Sequence, residues 1–356
     1  MRFAYIDALR GYAILGVMIV HGGQCVEGLD VRATAWGARG VQLFFVVSAL
    51  TLMKSWTERN DGPEAFYIRR LFRIAPMFWL AIPFYLWLNG TDPTYYAPNG
   101  ITAWHVGMTA SFLHGLHPET ITSVVPGGWS VADEVLFYIL FPLIASLVTT
   151  WGRAALLMVA TLHFAHLYYG TGLDFLPAVF PDQKRDLLAV FMFLSVPNQV
   201  AAFAAGILAF HSIEVASAKL PRWSVETALL GAAALIIVQA YTNVHDVPNF
   251  GLLFGVVATT MGLGAGCYLV NPVIRHLGKV SFSAYLIHFA LLGPVTIFAR
   301  SIGVTGPWAL AVVLPALVLA TTMIATVSFL IIEQPAINLG RRVVAWRMRH
   351  ATASLA

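Results

Sequence analysis

Arg10 and His21 stand eleven positions apart in the stretch DALRGYAILGVMIVH, residues 7–21, and none of the ten residues between them is charged. On an α-helix eleven steps of 100° return to within about 20° of the starting face, so both side chains share one side, roughly 16 Å apart along the axis. A guanidinium at one end of such a face can hold an anion, and an imidazole at the other can move a proton. Arg10 taken alone also reads as a snorkelling anchor paired with Asp7 at i,i+3. His21 needs a polar partner or cavity, because an ionisable group buried in apolar surroundings is costly.

Two more stretches concentrate chemistry. In YIRRLFRIAPMFW, Arg70 and Arg73 lie at i,i+3, one turn before Pro76. Two guanidinium forks on one face suit a phosphate or pyrophosphate, although plain anchoring at a membrane surface would also place arginines here. In PGGWSVADEVLFYILFPLI, Gly127 and Gly128 end a loop, Ser130 is a candidate helix cap, and Asp133 and Glu134 enter the first turns, where the helix dipole favours carboxylates. Capping alone would account for Asp133. Glu134 is flanked by apolar residues at a depth near that of His21, where a carboxylate could orient the imidazole and raise its basicity.

The elements that position these residues must be membrane helices. Hydrophobic residues make up 58% of the 356-residue chain and charged residues 11%, far below the ~25% charged of a soluble domain. Apolar runs long enough to cross ~30 Å of hydrocarbon occur at ten places, near residues 8–25, 36–54, 67–88, 129–148, 154–170, 196–213, 224–242, 251–270, 280–298 and 308–332. With ten spans and a cytoplasmic amino terminus, sixteen of the 21 Lys and Arg residues fall on the cytoplasmic side, as the positive-inside rule requires of a chain with both termini there. No small-residue cleavage site follows the first run, so it reads as a retained helix and not a signal peptide. The expected fold is all-α and polytopic: one membrane domain over residues 1–340 and a short basic cytoplasmic tail over 341–356.

Other classes are excluded or left without support. The net charge of +4 is spread over short loops, which implies topology and no nucleic-acid partner. Cys25 and Cys267 lie in unrelated apolar surroundings, so neither a disulfide framework nor a metal site is expected. His163 and His166 fit no recognisable constellation. The long segment 89–128 carries Tyr95, Tyr96, Trp104, His105, His114 and His117, which would suit stacking on sugar rings or an interfacial aromatic belt equally. A transporter using His21, Glu134 and Arg10 to relay protons or bind an anion is the alternative from another class, but no internal repeat supports it.

Together with the Arg10, ten residues, His21 pattern, FFVVSALTL at 44–52, RRLFRIAP at 69–76, WSVADEVLFYILFP at 129–142, GKVSFSAYLIHF at 278–289 and IIEQP at 331–335 resemble, in the same order, the acyltransferase-3 family of bacterial membrane O-acyltransferases. The resemblance implies a multi-pass protein of the bacterial cytoplasmic membrane. Its activity would move an acyl group, usually acetyl, from cytoplasmic acyl-coenzyme A to a hydroxyl of an extracytoplasmic acceptor, such as a surface polysaccharide or a glycosylated small molecule. It makes His21 the catalytic base, and the depth of Glu134 makes that carboxylate its expected catalytic partner. Arg10, Arg70 and Arg73 become donor-binding residues; Trp129, Ser130, Asp133 and His288 are expected to bind substrate, with a structural hydrogen bond equally open for His288, and no metal is expected. A coenzyme A with its phosphates on the three arginines would reach His21, since an extended pantetheine arm is of the order of the Arg10–His21 spacing. Glu333 is expected to pair with one of the arginines. Two departures stand out: Ala49 where the family usually has glycine, and no sign of the hydrolase-like domain some relatives carry after the membrane part.

Overall fold

The computed structural model describes residues 4–216 and 220–353, all helix, turn and loop with no strand among them. Arg2 and Lys219, two of the sixteen basic residues expected on the cytoplasmic side, and the last three residues of the tail lie outside the described residues. Helices occupy all ten expected places: α1 (Ala4–Gln24), α2 (Gly40–Arg59), α3 (Gly62–Asn89), α4 (Trp129–Leu147), α5 (Trp151–Val179), α6 (Val196–Ala216), α7 (Arg222–Thr242), α8 (Val247–Gly262), α9 (Ser281–Ser301) and α10 (Leu310–Ser328). Eight of the resulting segments are long and apolar enough to cross a membrane. The exceptions are α5, which carries Arg153, His163, His166 and Asp174, and α8, at 16 residues. His163 and His166 are exposed on α5, and His166 meets Asp246 at 3.3 Å.

α1 is enclosed by α2, α9, α10 and a short amphipathic helix, Pro272–Lys279. The approach is close enough to need glycine: a Cβ on Gly11 would lie 2.2 Å from the Ile274 carbonyl, and one on Gly37 2.2 Å from the Gly16 carbonyl. Without a hydrophobic drive between helices in lipid, such small-residue contacts supply the packing that holds α1 in register. Ala49 belongs to the same system. It is fully buried against α6, where a Cβ on Gly206 would lie 2.8 Å from its methyl. The departure from glycine is therefore absorbed at a helix contact and narrows no cavity. Behind it, Phe45, Phe203 and Phe137 stack at 4.4 and 4.2 Å.

The turn between α2 and α3 fixes the arginines. Asn60 ends α2 in the left-handed region at φ 47°, and Pro63 opens α3 in its first turn. Arg69 clamps Asp61 with Nη2 2.7 Å from Oδ1, holding that carboxyl below its usual range, and so orients the turn that presents Arg70 and Arg73. At the other end of the chain α10 does not stop near 332. It passes through a π-helical turn, Phe329–Glu333, into α11 (Gln334–Ala353), so Arg341, Arg342, Arg347 and Arg349 ride on a helix. The π turn rotates Glu333 inward, fully out of solvent.

Candidate active site

A cleft of about 740 Å³, its open mouth included, lies between α1, α2, α3, α4 and α9. Arg10, Arg70 and Arg73 line it, and Glu134 lies among them. Each reaches it for a local reason. Arg10 is one turn into α1 beyond Asp7 and donates through Nη2 to Thr51 Oγ1 at 3.2 Å, not to Asp7. Arg70 lies over the rings of Phe66 and Tyr138, each 5.9 Å from its Cζ, and its buried Nε has no hydrogen-bond partner. Arg73 differs: its Nη1 meets Glu333 Oε2 at 3.0 Å, and Glu333 Oε1 also accepts from the Ser283 backbone N–H at 3.1 Å and from the Ser283 hydroxyl. The three arginines are thus unequal. Among the described residues Arg10 and Arg70 form no ion pair, while Arg73 is already neutralised.

Glu134 sits with the arginines and not with the imidazole. Its Oε1 accepts from the Ser48 hydroxyl and from Tyr138 Oη, both at 2.5 Å. The carboxylate–imidazole pair expected from depth alone is not formed, because Glu134 faces α2 at the level of Ser48. The sequence reading passed over Ser48 and Tyr138. Tyr138, at i+4 from Glu134 on one helix face, was the available signal.

His21 has its own setting outside the cleft lining. Its Nδ1 donates to Gln24 Oε1 at 3.0 Å, an i,i+3 contact on α1, which leaves Nε2 as the basic nitrogen. Gln24 is a residue the sequence reading missed. His288 lies alongside, ring centroids 5.4 Å apart, and Phe289 packs on both, 4.6 Å from His21 and 4.1 Å from His288. His288 Nδ1 donates to the Tyr285 carbonyl at 2.7 Å, so its fully buried Nε2 is also a lone pair, and that atom has no partner. Two imidazoles thus present basic nitrogens in one place, each with its tautomer set by a bond on the other side of the ring.

The remaining expected substrate residues separate. Ser130 lines the cleft; because α4 begins at Trp129 with Gly128 as its cap position, Ser130 lies inside the first turn and does not cap the helix. Trp129 packs edge-on to Phe45 at 6.1 Å. Asp133 is fully buried with neither oxygen hydrogen-bonded, a setting that dipole capping does not explain. In the segment between α3 and α4 the histidines serve the loop itself. His105 completes a capping box with Thr102, and buried His114 donates through Nε2 to the Gly128 carbonyl at 2.9 Å, with burial pushing its pKa down to about 4. Trp104, exposed, stands edge-on to His105 and His117 at 4.8 Å each. Among the described residues no group of three or more His, Cys, Asp or Glu is placed to hold a metal ion.

Residues 3–331 match a family model described as an acyltransferase domain, that of the acyltransferase-3 family. The chain is 27% identical to the exopolysaccharide production protein ExoZ of Rhizobium meliloti (strain 1021), over 90% of this chain and 94% of that one. It is 25% identical to nodulation protein 10 of Rhizobium leguminosarum bv. viciae, over 96% and 95%. A “Putative O-acetyltransferase” of Staphylococcus aureus (strain COL) shares 23% identity over 96% of this chain but only 58% of its own length. No solved structure matches.

Proposed function

The chain belongs to the acyltransferase-3 family of membrane acyltransferases, and from that premise we propose that it carries an acyl group, in the simplest case acetyl, from acyl-coenzyme A in the Arg10 cleft to a hydroxyl of an extracytoplasmic glycan. The observation that carries the donor assignment is the pair Arg10 and Arg70, which form no ion pair among the described residues and face one cleft in which Arg73 is already satisfied by Glu333. Guanidinium forks that no carboxylate neutralises favour a phosphorylated ligand. In this reading Arg73 and Glu333 hold the wall of the donor site, and Ser48 and Tyr138 hold Glu134 back from ion pairing.

His21 is the base. Its Nδ1–H is fixed on Gln24, so Nε2 can take the proton of the attacking hydroxyl and return it to the departing thiolate. His288 meets the acceptor beside it. Ten spans with both termini on the cytoplasmic side would put the arginines at the donor face and the histidines beyond mid-membrane, in the cytoplasmic membrane of a bacterium. A surface polysaccharide is the favoured acceptor class, in keeping with the exopolysaccharide named for one relative. The test is mass spectrometry of surface glycans from host cells with and without the gene. A loss of O-acyl groups on deletion, restored by the wild-type gene, supports the reading; unchanged acylation of glycans and of secreted glycosylated molecules refutes it.

A further inference from the structure

Three atoms form a closed triangle where α4 meets α9. Ser130 Oγ lies 2.9 Å from Tyr285 Oη, Tyr285 Oη lies 2.9 Å from the Gly127 carbonyl oxygen, and Ser130 Oγ lies 3.1 Å from that same carbonyl. Both side chains are buried, and both line the cleft. The triangle holds two hydroxyl protons and one carbonyl, so it contains one more donor than Gly127 requires. Gly127 is at φ 72°, and a Cβ there would lie 2.8 Å from Tyr285 Oη, so the backbone turn is shaped to admit the phenol.

Its position is as telling as its bonding. Tyr138, beneath Arg70, and Ser130 are eight residues apart on α4, about 12 Å along the axis, so the triangle lies at the end of the cleft away from Arg70. From there Tyr285 is the step to the histidines: its ring centroid lies 5.8 Å from that of His288, which lies 5.4 Å from His21. Acyl transfer needs a donor oxygen or nitrogen ~3 Å from the thioester oxygen and a base ~3 Å from the attacking hydroxyl, itself ~3 Å from the carbonyl carbon, so donor and base stand roughly 8 Å apart. Tyr285 stands at the cleft end and His21 two ring contacts beyond it, which places a hydroxyl donor and a basic imidazole on the same side of the cleft.

Resting on the acyl-coenzyme A reading above, we propose that the Tyr285 hydroxyl is the oxyanion donor of the transfer and that Ser130 is the positioning residue that frees it. When the thioester oxygen arrives, Ser130 turns its proton to the Gly127 carbonyl and Tyr285 turns its own to the substrate. The carbonyl of Gly127 stays bonded throughout, so the donor is released without stranding a buried acceptor. As the acceptor oxygen bonds to the acyl carbon, its proton passes to His21 Nε2 and the carbonyl electron pair moves onto the oxygen held by Tyr285. Collapse re-forms the carbonyl and breaks the carbon–sulfur bond, and the thiolate leaves with the proton from His21.

The experiment uses purified full-length protein with [1-¹³C]acetyl-coenzyme A and isotope-edited infrared spectroscopy, together with turnover of radiolabelled acetyl-coenzyme A in native membrane vesicles. Wild type should bind the donor and shift its thioester carbonyl band to lower frequency. Tyr285→Phe, which keeps the ring, should lose that shift, bind the donor within about twofold of wild type, and turn over roughly 10²- to 10³-fold more slowly. Ser130→Ala should slow turnover about tenfold, and the double variant should be no slower than Tyr285→Phe alone, because Ser130 acts through Tyr285. A shift that persists in Tyr285→Phe, turnover within threefold of wild type, or additive losses in the double variant would overturn the inference while leaving the donor reading intact. Wild type that neither binds nor consumes acetyl-coenzyme A would overturn both.

Discussion

Replacing Arg70 and Arg73 in turn should give two different phenotypes, although sequence spacing makes them look equivalent. Arg70 has no acidic partner among the described residues, so Arg70→Ala removes a guanidinium available to the donor. A charge-assisted contact contributes ~1.5 to 3 kcal/mol, which at ~1.4 kcal/mol per decade weakens binding roughly 10- to 100-fold. Arg73 spends its Nη1 on Glu333, whose side chain is fully excluded from solvent, while Arg73 itself is 26% exposed. Arg73→Ala therefore strands a buried carboxylate, and breaking one side of such a pair costs ~3 to 5 kcal/mol of stability. Isothermal titration with a non-hydrolysable acyl-coenzyme A analogue and thermal unfolding in one detergent separate the two effects. Arg70→Ala should lose affinity and keep its melting temperature. Arg73→Ala should lose melting temperature first, and adding Glu333→Gln should recover much of it. An acyl-pantetheine without the nucleotide should bind wild type and Arg70→Ala alike. If Arg70→Ala bound the analogue as tightly as wild type, the arginines would be membrane anchors and the donor site would lie elsewhere.

Three other expectations are independent of this one. Ala49→Gly should leave donor affinity within twofold of wild type while lowering stability by about 0.5 to 1 kcal/mol, since the methyl fills a contact with Gly206 away from the cleft; a large change in the donor Kd would place Ala49 in the binding path. His114 is held neutral with a pKa near 4 against 6.5 unfolded, so the unfolded state takes up the proton first as pH falls below about 6.5. Stability should thus be intact above pH 6.5 and decline as pH drops toward 4, by on the order of 3 kcal/mol. His114→Asn should flatten that decline, and an unchanged slope in unfolding titrations would refute the assignment. In a protein with Cys25 and Cys267 replaced by serine, single cysteines at Glu64 and Arg349 should react with an impermeant maleimide only from the cytoplasmic face, and one at Asn99 only from outside; reaction of the Asn99 position from the cytoplasm would invert the topology.

The helical framework was legible because a membrane helix announces itself by length and composition over some twenty residues; each of the ten places is helical, and eight of the segments are long and apolar enough to cross a membrane. Arg10 and His21 could be paired on one face because both belong to a single helix, whose geometry is fixed by its own period. Glu134 could not be placed the same way. Its height relative to His21 depends on the tilt and register of α4 against α2, and those are set by contacts such as Ser48 with Glu134 that bridge 86 residues of sequence. The Arg73–Glu333 pair was foreseeable in kind, since a carboxylate inside a membrane domain needs a cation, but its choice of Arg73 over Arg10 or Arg70 follows from the π-helical turn at Phe329–Glu333. The Tyr285 triangle was invisible, because it joins a glycine turn to a helix 158 residues away.

In the proposed reaction the acyl group passes from a cytoplasmic donor to an outer acceptor through His21. Its most direct test is an inside-out vesicle assay in which radiolabelled acetyl-coenzyme A is supplied only to the cytoplasmic face and label is counted on the enclosed glycans. Wild type should label the enclosed glycans. His21→Ala should bind the donor normally and label them about 10²- to 10⁴-fold more slowly. Equal labelling by wild type and His21→Ala, or labelling by wild type only when acetyl-coenzyme A is placed on the glycan side, would contradict it.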